Sequence, residues 1–297
     1  MNAEYITPTV CVFNDEGDVD YDGCARLIDY VIEGGVDGIV LLGSNGEFFH
    51  LSLDEKRRLI DMAVETIGGR VKLYVGTGAM NQQEAINLTR YAHAAGADAA
   101  LVIPPYYFEL SPNSMEAYYD AIASASDGAI MLYNYPEFSG NDVTPDLALR
   151  LVERHENIIG YKDSVPDVAH TRRVIDAVLP VRAGFRAYSG FDENFAHNVM
   201  AGGSGSIGAL SNLVPEVCAA WTHAVNGGAW EEIVAYQRKI DALMELYTIS
   251  TPFMSTFRYA LNLRGFTMSE SCRAPFAPLD DAQRVQARTL LEKLEII

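Results

Sequence analysis

The chain has 297 residues, 49% hydrophobic and 21% charged, a balance that builds a sizeable core and excludes a disordered or fibrous protein. Lys and Arg number 22 against 40 Asp and Glu; the formal net charge of -18 repels nucleic-acid phosphates and anionic membrane surfaces, so neither is expected as a partner. No apolar run approaches the roughly 20 residues that span a bilayer, and Met1-Asn2-Ala3-Glu4 lacks the basic start of a signal peptide. Cys11, Cys24, Cys218 and Cys272 are scattered without a C-x-x-C, so a cytoplasmic protein with reduced thiols is predicted.

In chain order, short apolar runs predict strands at residues 6–12, 38–42, 72–76, 99–103, 129–134, 158–162, 185–189 and 203–208, each followed by a helical pattern. Ser52-Leu53-Asp54-Glu55 reads as a capping box, and Thr144-Pro145-Asp146 puts proline where a first helical turn accepts it. After about residue 227 only helical patterns remain, over 230–250, 252–264 and 280–294. Eight βα pairs in sequence predict an α/β fold, a (β/α)8 TIM barrel over residues 1–226 with a C-terminal helical extension over 227–297. The competing architecture is a doubly wound sheet, because Gly203-Ser204-Gly205-Ser206-Ile207-Gly208 matches G-x-G-x-x-G. That fingerprint belongs in a first βα unit with an acid about 20 residues on, whereas here it lies in the last unit; small residues that allow close packing are the preferred reading.

In a (β/α)8 barrel the active site lies at the carboxyl ends of the strands. Those ends carry residues 43–47 (Gly-Ser-Asn-Gly-Glu), Pro104-Pro105-Tyr106-Tyr107, Tyr133-Asn134, Lys162-Asp163-Ser164 and Gly190-Phe191-Asp192-Glu193. Lys162 closes the apolar run Ile158-Ile159-Gly160-Tyr161, where loss of water disfavours the ammonium and leaves an amine able to attack a carbonyl carbon. The alternative is an ion pair with Asp163 or with a carboxylate on another strand. Imine chemistry also needs a proton carrier, and Tyr133, one strand away, is the candidate; the Ser44 hydroxyl and Tyr107 would extend a relay. A buried core tyrosine is the competing reading of Tyr133. The Ser44-Asn45 turn offers backbone N–H groups and a hydroxyl for a small carboxylate, or is a plain tight turn. The six histidines form no HExxH or zinc pattern, so no metal is expected; phosphate-loop and G-x-S-x-G signatures are also missing.

These motifs resemble the dihydrodipicolinate synthase and N-acetylneuraminate lyase family of class I pyruvate aldolases, over nearly the whole chain. Residues 43–47 look like the family's G-[ST]-[TN]-G-E turn, and Tyr133-Asn134-Tyr135-Pro136 like its Y-N-x-P. Residues 159–164 resemble its Schiff-base strand, and 202–207 its glycine-rich eighth strand, ending at Ile207. The resemblance implies that Lys162 forms a covalent pyruvate imine without a separate cofactor, that Tyr133 shuttles protons with Ser44 and Tyr107, and that Ser44, Asn45 and Gly46 surround the pyruvate carboxylate. Tyr107 in such proteins is usually lent by a neighbouring subunit, which implies an oligomer, commonly a homotetramer built as a dimer of dimers.

The second substrate is read from departures. Where dihydrodipicolinate synthases generally place an arginine two residues beyond the Y-N-x-P proline, this chain has Phe138. Gly190-Phe191-Asp192-Glu193 looks like the G-Y-D-E of sialic acid lyases, whose acidic pair accepts hydrogen bonds from sugar hydroxyls, and Ser139-Gly140 resembles their S-G. Ser44-Asn45 looks more like 4-hydroxy-2-oxoglutarate or deoxy-sugar-acid aldolases. The resemblance therefore implies a lyase acting on a hydroxylated 2-keto acid, N-acetylneuraminate, a 2-keto-3-deoxy sugar acid or 4-hydroxy-2-oxoglutarate, with pyruvate and an aldehyde as its small-molecule partners. Asp192 and Glu193 as a solvated acidic pair opening a helix is the competing local reading. Two alternatives stay open at this point: a 4-hydroxy-tetrahydrodipicolinate synthase, and a non-catalytic barrel that only binds a keto acid.

Overall fold

Alternation of buried strands with amphipathic helices builds the structure, a computed structural model that describes all 297 residues. The strands are β1 (Glu4–Pro8), β2 (Gly38–Leu41), β3 (Lys72–Gly76), β4 (Ala99–Val102), β5 (Ile130–Asn134), β6 (Ile158–Asp163), β7 (Arg186–Ser189) and β8 (Gly205–Ile207). They form a closed parallel barrel in chain order, the (β/α)8 class that the sequence predicts. Between them run α1 (Tyr21–Glu33), α2 (Leu53–Ile67), α3 (Gln82–Ala95), α4 (Pro112–Ser124), the short α5 (Pro136–Ser139), α6 (Pro145–Arg154), α7 (Val168–Val178) and α8 (Phe195–Met200). The chain ends with α9 (Leu210–Leu213), α10 (Pro215–Gly227), α11 (Trp230–Leu243), α12 (Met254–Leu263) and α13 (Asp281–Lys293).

Both predicted helix starts form as read. The Ser52 hydroxyl accepts from the Glu55 amide while the Glu55 carboxylate accepts from the Ser52 amide at 2.8 Å; the Thr144 hydroxyl caps Leu147, with Pro145 in the first turn.

Three boundaries differ from expectation. The first strand lies at 4–8 rather than 6–12, because the later amides leave the sheet: Val10 donates to Asn212 Oδ1 at 3.1 Å, Val12 to Cys24 Sγ, and Phe13 bridges Val19. The eighth strand is only Gly205–Ile207. There Gly205 sits at φ +134°, where a Cβ would stand 1.9 Å from the Glu4 carbonyl oxygen, so the G-x-G-x-x-G match serves close backbone approach and the doubly wound reading is overturned. The helix expected over 230–250 stops at Leu243 and continues as a 3₁₀ turn, Met244–Thr248.

The chain packs as two compact units, one of Met1–Glu4 with Lys72–Gly208 and the other of Tyr5–Val71 with Ala209–Ile297. In the first, Val102, Leu132 and Tyr161 face outward from their strands into an apolar core with Tyr118, Tyr119, Ile122, Leu151 and Val174 of the helices. In the second, Trp221 of α10 and Phe257 of α12 are fully buried, and α11 to α13 belong with β2, α1 and α2.

Candidate active site

Side chains alternate across a strand, so the register of β5 on β6 decides which residues meet. Leu132 lies opposite Tyr161, Tyr133 opposite Lys162, and Asn134 opposite Asp163. Leu132 and Tyr161 pack outward against the helices, which puts Tyr133 and Lys162 together on the barrel's inner face. Both are 3% exposed, and the Lys162 ammonium nitrogen stands 4.4 Å from the Tyr133 ring centroid.

Asp163 faces the other way and is not the lysine's partner. Its Oδ1 accepts from Asn134 Nδ2 at 3.0 Å, and its Oδ2 from His170 Nδ1 and the Thr171 hydroxyl, each at 2.8 Å. Those donors occupy the buried carboxylate, so the ion pair weighed for Lys162 and Asp163 does not form. His170 Nε2 lies 3.3 Å from Asp142. Burial works against the imidazolium, but Asp142 and Asp163 outweigh it and raise the His170 pKa to about 9.

Tyr107 is placed differently. Its ring is 84% exposed, touching the Phe108 ring edge-on at 4.9 Å, so within its own chain it does not join the buried Lys162–Tyr133 pair. Its backbone sits at φ +97°, a conformation that costs about 1–3 kcal/mol for a non-glycine residue and persists only where neighbours impose it. Asn141 does so: buried behind the loop, it donates Nδ2 to the carbonyls of Pro105 (2.8 Å) and Phe108 (3.0 Å) and accepts from the Leu110 amide at 2.6 Å. Asn141→Ala strands those backbone groups and is expected to cost about 1–3 kcal/mol, with the Leu110 amide exchanging with solvent far faster than in the unmodified protein. Unchanged Leu110 exchange would remove the clamp.

Phe138 is half out of the surface and stacks on Tyr135 at 4.3 Å, and Tyr135 in turn lies 6.3 Å from the Tyr133 ring, so an aromatic run leads from the surface to the pair. Asp192 is 1% exposed in the 3₁₀ turn Asp192–Asn194 after β7, which is not the environment of a solvated acid; Glu193 beside it is half-buried. Ile207, at the carboxyl end of β8, is buried.

In the second unit, β2 runs into residues 43–47. Asn45 and Gly46 are buried and Ser44 is half-buried; a Cβ on Gly46 would come within 3.3 Å of the Thr9 carbonyl oxygen, so glycine lets the turn close on the backbone beside it. Glu47 ends the turn in the left-handed region at φ +51°. Its carboxylate is fully buried against the fully buried guanidinium of Arg258, which also donates to the Cys11 carbonyl at 3.1 Å. Arg258 lies in α12, in the predicted extension, and no strand-end inspection would have found it.

A second group escaped the sequence reading. Glu4, at the start of β1, accepts from Lys72, from Arg186 at 2.8 Å and from the Tyr188 hydroxyl at 2.7 Å. Burial pushes its pKa up, but the hydrogen bonds from Lys72 and Tyr188 and the nearby cations hold it below the usual carboxylate value. Glu4, Lys72 and Arg186 are the first residues of β1, β3 and β7, so this network occupies the amino-terminal side of those strands. No three His, Cys, Asp or Glu side chains stand together as a metal site, the four cysteines are thiols rather than disulfides, and no helix is long and apolar enough to cross a membrane.

Comparison with known proteins agrees with the motifs. The chain is 34% identical over 291 residues to "Putative 2-dehydro-3-deoxy-D-gluconate aldolase YagE" of Escherichia coli K12, covering 98% of this chain and 96% of that protein. The crystal structure of YagE in complex with pyruvate superposes with a TM-score of 0.97 over 99% of both chains. Identity is 32% to "Probable 2-dehydro-3-deoxy-D-pentonate aldolase YjhH" of the same organism, over 96% of this chain and 95% of that one. It is 30% to a 4-hydroxy-tetrahydrodipicolinate synthase of Gluconacetobacter diazotrophicus, over 96% and 95%. The sequence profile of the dihydrodipicolinate synthetase family matches residues 1–294, and with a barrel, a Y-N-x-P strand and a strand-end lysine in their places, the chain belongs to that family.

Proposed function

We propose that this protein is a pyruvate-dependent class I aldolase that cleaves or forms a hydroxylated 2-keto acid through an imine on Lys162. One observation carries the reading: a buried lysine amine, paired with no carboxylate, held against a tyrosine ring on the adjoining strand. The amine attacks the keto carbon. The carbinolamine loses water, and the resulting iminium draws electrons from the chain beyond it. In cleavage the C4 hydroxyl gives up its proton, the C3–C4 bond breaks, an aldehyde leaves, and the bonding pair becomes an enamine. Protonation at C3 and hydrolysis return pyruvate and the amine. Tyr133 carries the protons, extended by the Ser44 hydroxyl and by Tyr107 of a second copy; the backbone of Ser44-Asn45, closed by Gly46, holds the pyruvate carboxylate. No metal or organic cofactor takes part. An exposed Tyr107 fits a cytoplasmic homotetramer in which the ring is lent across a dimer interface.

A 2-keto-3-deoxy sugar acid is the substrate class we favour. Two relatives carry names of that kind, Phe138 supplies no cation for a semialdehyde carboxylate, and buried Asp192 with Glu193 supplies acceptors for hydroxyls. Ile207 lines the same end. The second reading, a 4-hydroxy-tetrahydrodipicolinate synthase, is kept because relatives of that name reach 30% identity.

The test is chemical. Pyruvate followed by borohydride should leave a stable adduct that peptide mapping places on Lys162, and an aldehyde panel should then show glyceraldehyde or glycolaldehyde condensing faster than aspartate semialdehyde. No adduct in the folded protein would overturn the imine and favour a barrel that only binds keto acids; efficient use of the semialdehyde would overturn the substrate reading alone.

A further inference from the structure

Asn134 and Asp163, next to the inward-facing Tyr133 and Lys162 on their strands, face the other way. Lys162 is the penultimate residue of β6, paired with Tyr133 of β5 and Tyr188 of β7, and the chain leaves the sheet just beyond it, after Asp163. Asn134 lies opposite Asp163 in the register, as Tyr133 lies opposite Lys162, so the outward pair and the inward pair sit on the same two strand ends. The Asn134–Asp163 hydrogen bond therefore crosses from β5 to β6 directly behind the amine. Asn134 is itself fixed by the Val143 amide at 2.9 Å. The backbone continues the link beyond the strands: the Ser164 amide donates to the Asn134 carbonyl at 2.8 Å, and the Gly190 amide to the Asp163 carbonyl at 2.7 Å. From α7, His170 and Thr171 close on the second carboxylate oxygen.

A fully buried carboxylate is expensive, and a well-packed apolar residue would stabilise an ordinary strand-to-helix contact at least as well. What the carboxylate adds is direction, since its acceptors fix a strand end against three donors on two other elements.

We propose that Asp163, held by His170, Thr171 and Asn134, is the positioning device for Lys162: it keeps β6 in register with β5 so that the amine stays against Tyr133 during imine chemistry. The inference rests on the imine reading above. At neutral pH the His170 side chain is an imidazolium, its pKa raised to about 9 by the two carboxylates that face it, Asp142 and Asp163, against the cost of burial, so Nδ1–H remains a donor under working conditions.

The experiment counts competent lysines and measures turnover for each. Borohydride-trapped pyruvate gives the count; kcat divided by it gives turnover per competent site. In Asp163→Asn the amide presents N–H groups to donors, and turnover per trapped lysine should fall by about 10²-fold, the effect of a misplacement near 1 Å, while the KM for pyruvate moves little. Thr171→Val keeps the shape of the side chain, loses the hydroxyl donor and should give a smaller drop in the same quantity; Thr171→Ser should restore it. A merely structural role predicts the opposite pattern, a lower trapped count or a lower thermal midpoint with turnover per trapped lysine unchanged, and that result overturns the proposal. Should Asp163→Asn fail to fold, the Thr171 pair decides. If the unmodified protein traps no pyruvate, the imine itself is wrong and the positioning role falls with it; trapping with unaltered variants sinks the positioning role alone.

Discussion

Lys162→Ala is expected to lower aldol turnover by about 10⁴- to 10⁶-fold, the scale on which loss of a covalent nucleophile is felt, and to abolish borohydride trapping. The fold should survive. Lys162 is 3% exposed and pairs with no carboxylate, so truncation breaks no ion pair and removes a buried polar group whose burial cost offsets the packing lost with its methylenes. The thermal midpoint should therefore stay level or rise, as it does where a catalytic group is held at the expense of stability. Lys162→Arg, which keeps the charge but cannot form an imine, should be equally inactive. Tyr133→Phe separates binding from proton transfer, with turnover falling by about 10²- to 10⁴-fold and pyruvate still trapped, only more slowly. Appreciable turnover by Lys162→Ala, or a borohydride adduct on another lysine, would refute the mechanism.

The largest effect on stability is expected from Arg258→Met. Both Arg258 and Glu47 are fully buried, and removing the guanidinium leaves the Glu47 carboxylate without its cation, which costs about 3–5 kcal/mol. In a chain of this size that is a fall on the order of 10 °C in the thermal midpoint. Replacing both partners, Glu47→Leu with Arg258→Met, should recover part of the loss, because two apolar side chains need no compensation. Function should move with stability in the single variant. Glu47 closes residues 43–47 in a left-handed conformation, so freeing its carboxylate loosens the Ser44-Asn45 turn and should raise the KM for pyruvate more than it lowers kcat. A single variant within about 1 kcal/mol of the unmodified protein, comparable to an exposed pair, would show that the buried pair is not what holds the turn.

Much of the fold could be read in the sequence because it rests on local chemistry. Period-2 and helical runs, the Ser52 capping box and the Thr144-Pro145 start are one-dimensional signals, and all of them formed. The strand-end lysine, the Y-N-x-P tyrosine and the glycine-flanked turn were legible for a related reason: the barrel itself defines the strand-end positions that they occupy. Boundaries were less legible. Val10 to Val12 look like a continued strand, and only the pull of Asn212, some 200 residues away, takes the first of their amides out of the sheet.

The barrel and the family are legible in the one-dimensional pattern of residues. Tertiary structure alone decided which groups serve them. Nothing in the spacing of Lys162 and Asp163 says that one is held against a tyrosine ring while the other is held by α7; the strand's alternation, fixed by the outward burial of Leu132 and Tyr161, settles it. Nor does α12 announce that Arg258 will close the turn after β2, or Asn141 that it will hold the loop carrying Tyr107. These partners lie 31 to 211 residues apart in the fold's long-range pairings, or in the next loop, and a buried polar group takes whatever partner the packed chain brings to it, because leaving it unpaired costs more than almost any local preference.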